Sequence, residues 1–397
     1  MKNNLQPEIR FHGYEGNWEK YKLGEHSRIL TGGTPKTKIE EYWNPKDIPW
    51  MSSGEINKKR LVDTDNYISN LGFDNSSARW VKENSILIAL AGQGKTRGTV
   101  AINEIPLTTN QSIAAIEINN ILNTEFVFQN LQMRYDELRL MSSGDGTRGG
   151  LNKKIISEIE IYSPKEEEQQ KIGEFFKQLD NRITLQQRHV EQLKQSKRGF
   201  LQKMFPKDGE SVPEVRFDGF SGEWYEKQFI SIIDRVSEKS ADNDLPRVEF
   251  EDIVSGEGRL NNNIYPKIDN RKGILFKPEY ILYGKLRPYL KNWLLADFKG
   301  IALGDFWVFK TKNVASFVYT LIQTGKFQAV ANLSTGTKMP RSDWNTVSKT
   351  IFMIPSIKEQ QKIGEFFKQL DDLIAKNERE LELLKETKKG FLQKMFV

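Results

Sequence analysis

The segment AGQGKT (91–96) sets two glycines before a lysine and a threonine, the residue types that wrap a phosphate in nucleotide-binding loops. Such a loop needs a further glycine five positions before Gly94, where Ala89 stands, and a helix after Lys95 and Thr96, where RGTVAI reads as a strand. Nucleotide binding is set aside. The segment is read as a glycine-rich strand–turn–strand with Lys95 and Arg97 at its tip. Other chemistries lack material. With no cysteine there is no disulfide, thiolate nucleophile or thiolate-held zinc. The three histidines, His12, His26 and His189, stand far apart without ligand spacing, so neither a histidine metal site nor a Ser-His-Asp triad is expected. There is no Pro-Pro dipeptide, as enzymes that methylate exocyclic amino groups would carry, and no Pro-Asp, as a common class of magnesium nucleases would carry. The reading is a non-catalytic chain with no catalytic residue and no metal site of its own.

What remains is basic residues interleaved with aromatics in loops. The first half offers Thr34, Lys36 and Lys38 in and after TGGTP (31–35), then Trp50, Lys95, Arg97, Arg148, Lys153 and Lys154. The second offers Arg271, Lys272, Lys285, Arg287, Tyr289, Lys291, Lys338 and Arg341. Arginine and lysine contact phosphates and read guanine edges, so these are the candidate contacts to double-stranded DNA. The net charge of +6 leans the same way. No apolar run approaches the roughly 18 residues of a membrane span, and MKNNLQPEIR lacks a signal-peptide core. A cytoplasmic chain without membrane contact is expected.

The elements that must position these loops follow from repetition. EQQKIGEFFKQLD at 168–180 returns unchanged at 359–371, and GFLQKMF at 199–205 returns at 390–396, both 191 residues on. PEIRFHGYEGNW (7–18) aligns with PEVRFDGFSGEW (213–224). At roughly 150 residues per domain the 397 residues suggest two or three domains, and the repeat points to two related halves with a pseudo-twofold. The layout is a first domain over 1–163 with its header at 7–24, a helix over 164–205, a linker over 206–212, a second domain over 213–356 with its header at 213–228, and a second helix over 357–397. Both domains read as α/β (α+β) with short strands. NSILIAL (84–90) and GTVAINEI (98–105) read as strands, and 123–141 as one helix. In the second domain 280–298 reads as strand, basic loop, strand, 302–310 as a strand, and 315–333 as one helix.

The repeated helices carry a heptad seam. Ile172, Phe176, Leu179, Ile183, Gln186, Val190, Leu193 and Lys197 alternate steps of four and three, as do Ile363, Phe367, Leu370, Ile374, Asn377, Leu381, Leu384 and Lys388. Pairing them in parallel would set Lys197 against Lys388. An antiparallel intrachain coiled coil, shifted so that Gln186 meets Lys388 and Asn377 meets Lys197, avoids that repulsion and is the expected register.

The headers, TGGTP, YWNPKDIPWMSSGEI (41–56), ILYGKLRPYL (281–290), GTKMPRSDW (336–344) and the twin helices, in this order and duplicated, resemble the specificity (S) subunits of type I restriction-modification enzymes over nearly the whole chain. The resemblance implies two globular target-recognition domains separated by a pair of long antiparallel helices, each domain reading one half of a bipartite DNA site. It implies helices that dock two modification (methyltransferase) subunits and set the spacer, with two restriction (translocase and nuclease) subunits joining them. S-adenosylmethionine, ATP and Mg2+ are expected on those partners and no cofactor on this chain. The competing reading is a non-enzymatic coiled-coil scaffold whose two globular domains bind proteins.

Overall fold

The computed structural model describes residues 5–92, 96–119, 121–141, 150–261, 271–333 and 339–397. The chain forms two compact units, Met1–Leu185 with Leu381–Val397, and Gln186–Glu380.

The first unit is built on a five-stranded sheet in the order Ser27–Thr31, Ile113–Ile118, Ile86–Ala89, Val100–Asn103, Arg60–Leu61. Neighbours are antiparallel except the last pair. Ile86–Ala89 is buried throughout, which explains its unbroken apolar run. Its side chains alternate faces. Ile86 and Ile88 join a core with Val100, Ile102, Ala114 and Ile116, while Leu87 and Ala89 join a second core with Leu30, Ala101, Ile113 and Ala115. A three-stranded sheet, Asn66–Ile68, Ile48–Met51 and Thr108–Thr109, adds to this unit.

The second unit repeats the plan with little sequence in common. Its sheet runs Ile233–Val236, Phe306–Thr311, Ile281–Gly284, Trp293–Leu295, all antiparallel. Ile281, Tyr283, Trp293, Trp307 and Phe309 face one core, and Leu282, Leu294, Phe306 and Val308 the other. Each stretch read as one helix is two. The first breaks at Arg134 between Thr124–Met133 and Tyr135–Leu140, where the guanidinium turns to donate to the Glu160 carbonyl at 2.7 Å. The second breaks before Thr324, whose hydroxyl caps Gly325–Ala331 after Ala315–Leu321 has ended.

The long helices are Glu166–Lys203 and Ile357–Met395, of 38 and 39 residues, each about 60 Å long at 1.5 Å per residue. Three glutamates open the first, as the helix dipole favours. Each unit holds a segment of both helices, and within each the segments are antiparallel. In the first unit Phe391 meets Phe175 at 5.2 Å between ring centroids, and Leu392 and Met395 share a core with Ile172 and Phe176. In the second, Phe200 meets Phe366 at 5.0 Å, and Met204 shares a core with Ile363 and Phe367. Of the seam residues, Ile172, Phe176, Leu179, Val190, Ile363, Phe367 and Ile374 are buried, and Ile183, Leu193, Leu370, Leu381 and Leu384 half-buried.

The register differs from the expected one. Gln186 donates through Nε2 to Asn377 Oδ1 at 2.9 Å, so equivalent polar layers face each other. The lysines are satisfied by carboxylates rather than amides. Lys388 pairs with Asp180 at 2.6 Å and also donates to Gln132, and Lys197 pairs with Asp371 at 2.6 Å and donates to Gln323. The polar-layer argument treated the helices as an isolated pair. Each lysine instead finds its partners on the opposing long helix and on the adjoining globular block, Gln132 within the helix Thr124–Met133 and Gln323 in the turn that follows Ala315–Leu321. Burial pulls the Lys388 ammonium below the ordinary lysine value, with Asp180 pulling the other way. Burial likewise raises the Asp371 carboxyl, against the pull of Lys197. Cysteines at Gln186 and Asn377 should form a disulfide readily on mild oxidation. A pair that stays reduced while the protein remains folded would refute this register.

The thirteen-residue repeat is a docking motif. Glu168 accepts two hydrogen bonds from Arg10, at 2.7 and 2.8 Å, and Glu359 accepts the same pair from Arg216. Gln169 accepts from the Asn123 amide at 2.7 Å, and Gln360 from the Val314 amide at 3.3 Å. Gly364 lets the helix Ala315–Leu321 approach: a Cβ there would lie 2.1 Å from Ser316 Oγ and 2.8 Å from the Phe317 amide nitrogen. At the equivalent Gly173 the nearest atom would be at 3.0 Å. Gly364→Ala should therefore cost about 1–3 kcal/mol in urea unfolding despite alanine's better helix propensity, and Gly173→Ala less. A stabilised Gly364→Ala variant would refute this packing.

Candidate nucleic-acid interface

In the first unit four loops meet at one end of the main sheet's strands. The Gly33 amide donates to the Thr109 carbonyl at 2.8 Å, Thr34 Oγ1 to Gln111 Oε1 at 2.6 Å, the Leu90 amide to the Ser112 carbonyl at 2.8 Å, and the Leu151 amide to the Leu90 carbonyl at 2.9 Å. This chain of bonds gathers the segments carrying Lys36 and Lys38, Arg97, and Lys153 and Lys154. Lys36 and Lys38 are exposed beyond Pro35. Lys153 and Lys154 are exposed at the start of the helix Lys153–Ser157, which the Asn152 side chain caps by accepting from the Ile155 amide at 3.0 Å. Among the described residues these four lysines have no ion-pair partner. Arg97 is half-buried. Beside it Gly98 has a φ of 80°, and a Cβ there would sit 2.9 Å from the Arg139 amide nitrogen, so this turn requires glycine.

Trp50 is corrected. It is buried against Ile48, Ile68 and Ala78, with its indole N–H donating to the Gly33 carbonyl at 2.9 Å. It holds the TGGTP loop in place and presents no surface to a ligand. Thr34 is half-buried and already donates to Gln111, so it also shapes the loop.

The second unit gathers its loops at the corresponding end of its strands. The Lys285 amide donates to the Asp305 carbonyl at 2.9 Å, the Ser342 amide to the Lys285 carbonyl at 2.8 Å, the Arg287 amide to the Pro340 carbonyl at 2.7 Å, and the Gly256 amide to the Lys291 carbonyl at 2.9 Å. Lys285, Arg287, Tyr289, Lys291 and Arg341 thus come together. They differ in charge state. Asp305 pairs with Arg341 at 2.9 Å and lies 3.6 Å from Lys285. Arg271 pairs with Glu249 at 2.7 Å. Arg287, Lys291 and Lys272 are exposed, and none has an ion-pair partner among the described residues. Exposed pairs of this kind are worth little and can exchange a carboxylate for a phosphate. Lys95, Arg148 and Lys338 lie outside the described residues.

Sequence reasoning missed Asp305, which orients Arg341 and Lys285, and Leu290, which is exposed beside Tyr289. An apolar residue in PYLK reads as core, and only the backbone turn that exposes it shows otherwise. Among the described residues no group of three or more histidine, aspartate or glutamate side chains could hold a metal ion, and no helix is long and apolar enough to cross a membrane.

The chain is 22% identical to the type I restriction enzyme MjaVIII specificity subunit of Methanocaldococcus jannaschii, covering 95% of this chain and 91% of that one. It is 24% identical to the MjaIX specificity subunit of the same organism, covering 96% and 92%. In fold it is similar to the crystal structure of the type I restriction-modification system S subunit from M. genitalium, with a TM-score of 0.68, 15% identity and 99% of each chain covered. The type I restriction modification DNA specificity domain matches twice, over residues 15–195 and 234–386, so that each match holds one loop cluster and part of one long helix. The chain belongs to the family of type I restriction modification DNA specificity domain proteins.

Proposed function

We propose that this chain chooses the DNA site of a type I restriction-modification complex, each unit reading one half of a bipartite sequence. One observation carries the reading: in both units, cations without an ion-pair partner among the described residues gather on loops at the same end of the strands of the equivalent sheet, although the loop sequences differ. Phosphate contacts from such cations position a protein on the duplex, and base-edge contacts from neighbouring side chains specify the sequence. A shared scaffold with dissimilar loops suits two readers of dissimilar half-sites.

The long helices complete the proposal. Leu185 and Leu383 are 63% exposed and Leu373 43% exposed, apolar surface that suits docking of two modification subunits. Helix length would set the spacer between half-sites. Methyl transfer from S-adenosylmethionine and ATP- and Mg2+-dependent cleavage would reside on modification and restriction subunits. This chain would supply the address.

Exchange of residues 25–163 for those of another family member should change one half-site and leave the other intact, as read by sequencing methylated adenines in host DNA. A change in both half-sites, or in neither, would overturn the modular reading.

A further inference from the structure

We propose that Tyr289 and Leu290 form an apolar wedge that the second unit inserts at one base step of its half-site; this rests on the DNA-reading function proposed above. The loop between Ile281–Gly284 and Trp293–Leu295 ends in a single tight turn, Pro288–Leu290. Pro288 is buried at its first position, yet Tyr289 is 55% exposed and Leu290 38%. Burial is the ordinary fate of a leucine, and here the backbone prevents it. Arg287 and Lys291, on either side, hold left-handed conformations with φ of 48° and 55°, which bulky residues adopt only when their surroundings impose it.

Those surroundings are on both flanks. The Arg287 amide donates to the Pro340 carbonyl at 2.7 Å, and the Lys291 carbonyl accepts from the Gly256 amide at 2.9 Å. Ser255 Oγ donates to the Leu290 carbonyl. Inside the turn, the Leu290 amide donates to the Arg287 carbonyl at 2.8 Å, and the Lys291 amide to the Pro288 carbonyl at 2.9 Å. The tip is therefore pinned before any partner arrives, and little ordering entropy is left to lose on binding.

Charge selects the occupant. The two apolar side chains stand between the exposed cations Arg287 and Lys291, neither of which has an ion-pair partner among the described residues. A protein partner with an apolar groove would not call for cations on both sides of the tip. A polyanion with stacked apolar bases would, because the cations can neutralise phosphates flanking a step while the wedge partly unstacks it. Pyrimidine–purine steps yield most easily, so the wedge would confer preference for such a step without a hydrogen bond to either base.

The test uses the full chain and a duplex that it selects from a randomised library, with a scrambled duplex of equal length as control. Tyr289→Ala and Leu290→Ala should each bind the selected duplex about 10- to 100-fold more weakly, with unchanged salt slope and little change on the scrambled duplex. Tyr289→Phe should bind as the unaltered chain does. 2-Aminopurine scanned through the selected half-site should brighten at one step with the unaltered chain and stay quenched with the alanine variants. Thermal melting checks that the variants are folded. Unchanged affinity, equal loss on both duplexes, or quenched 2-aminopurine at every step would each overturn the wedge while leaving the DNA-reading function standing. Failure of the unaltered chain to bind any duplex in a salt-dependent way would overturn both.

Discussion

Replacing Lys36, Lys38, Arg287 and Lys291 together with alanine should weaken duplex binding by on the order of 10³-fold at 0.15 M salt, and should flatten the dependence of log K on log salt by about 3.6. Each phosphate neutralised on a duplex releases about 0.9 of a condensed counterion, so four lost contacts remove about four times that slope. These four residues are exposed and without ion-pair partners among the described residues, so their removal leaves no carboxylate stranded and should not disturb folding. Lys285 and Arg341 are poorer probes, because alanine there would also free Asp305. Titration of one duplex at several salt concentrations reads both quantities. An unchanged slope with unchanged affinity would show that the two loop clusters do not face DNA.

The second large effect concerns stability. Arg10→Met should destabilise the first unit by about 3–5 kcal/mol, and Arg216→Met the second by a similar amount. Glu168 and Glu359 have side chains only 1% exposed, and each receives a forked pair of hydrogen bonds from its arginine. Those arginines also donate to loop carbonyls, Arg10 to Gly16 at 2.7 Å and Arg216 to Gly222 at 2.6 Å. The hydrogen bonds that Arg10 donates to Glu168 hold its guanidinium above its ordinary value, despite partial burial. Removing the cation leaves a buried carboxylate without its counter-ion, which costs far more than the pair itself contributes. The double variant Arg10→Met, Glu168→Leu should therefore recover most of the loss. Urea unfolding of the single and double variants measures this. Equal destabilisation by the single and the double variant would refute the explanation.

That duplicated ion pair shows what is legible in a sequence. Arg10 and Arg216 stand at matching places in the headers, and Glu168 and Glu359 at matching places in the helices, so their equivalence is visible as text. Their contact is not, because the partners stand 158 and 143 positions apart in the chain and nothing local joins them. The long helices were legible because a heptad seam is a local property that repeats every seven residues. Their register was not. The lysine layers take their partners from the opposing helix and from Gln132 and Gln323 in the globular blocks.

The candidate interface divides along the same line. Residue type and loop position singled out Lys36, Lys38, Arg287, Tyr289 and Lys291, all of which are exposed. The same reasoning took Trp50 for a surface aromatic, and it is a buried support of the loop. It also named Lys285, Arg271 and Arg341 as DNA contacts without showing that Asp305 and Glu249 pair with them. By itself the sequence determined the duplication, the helices, the α/β blocks and the absence of cysteine, because composition and short-range periodicity carry those. Tertiary structure alone decided the register, the convergence of loops at one end of the strands, and which charges are spent on neighbours. Those depend on contacts between residues far apart in the chain, and burial and pairing are settled only when the chain closes on itself.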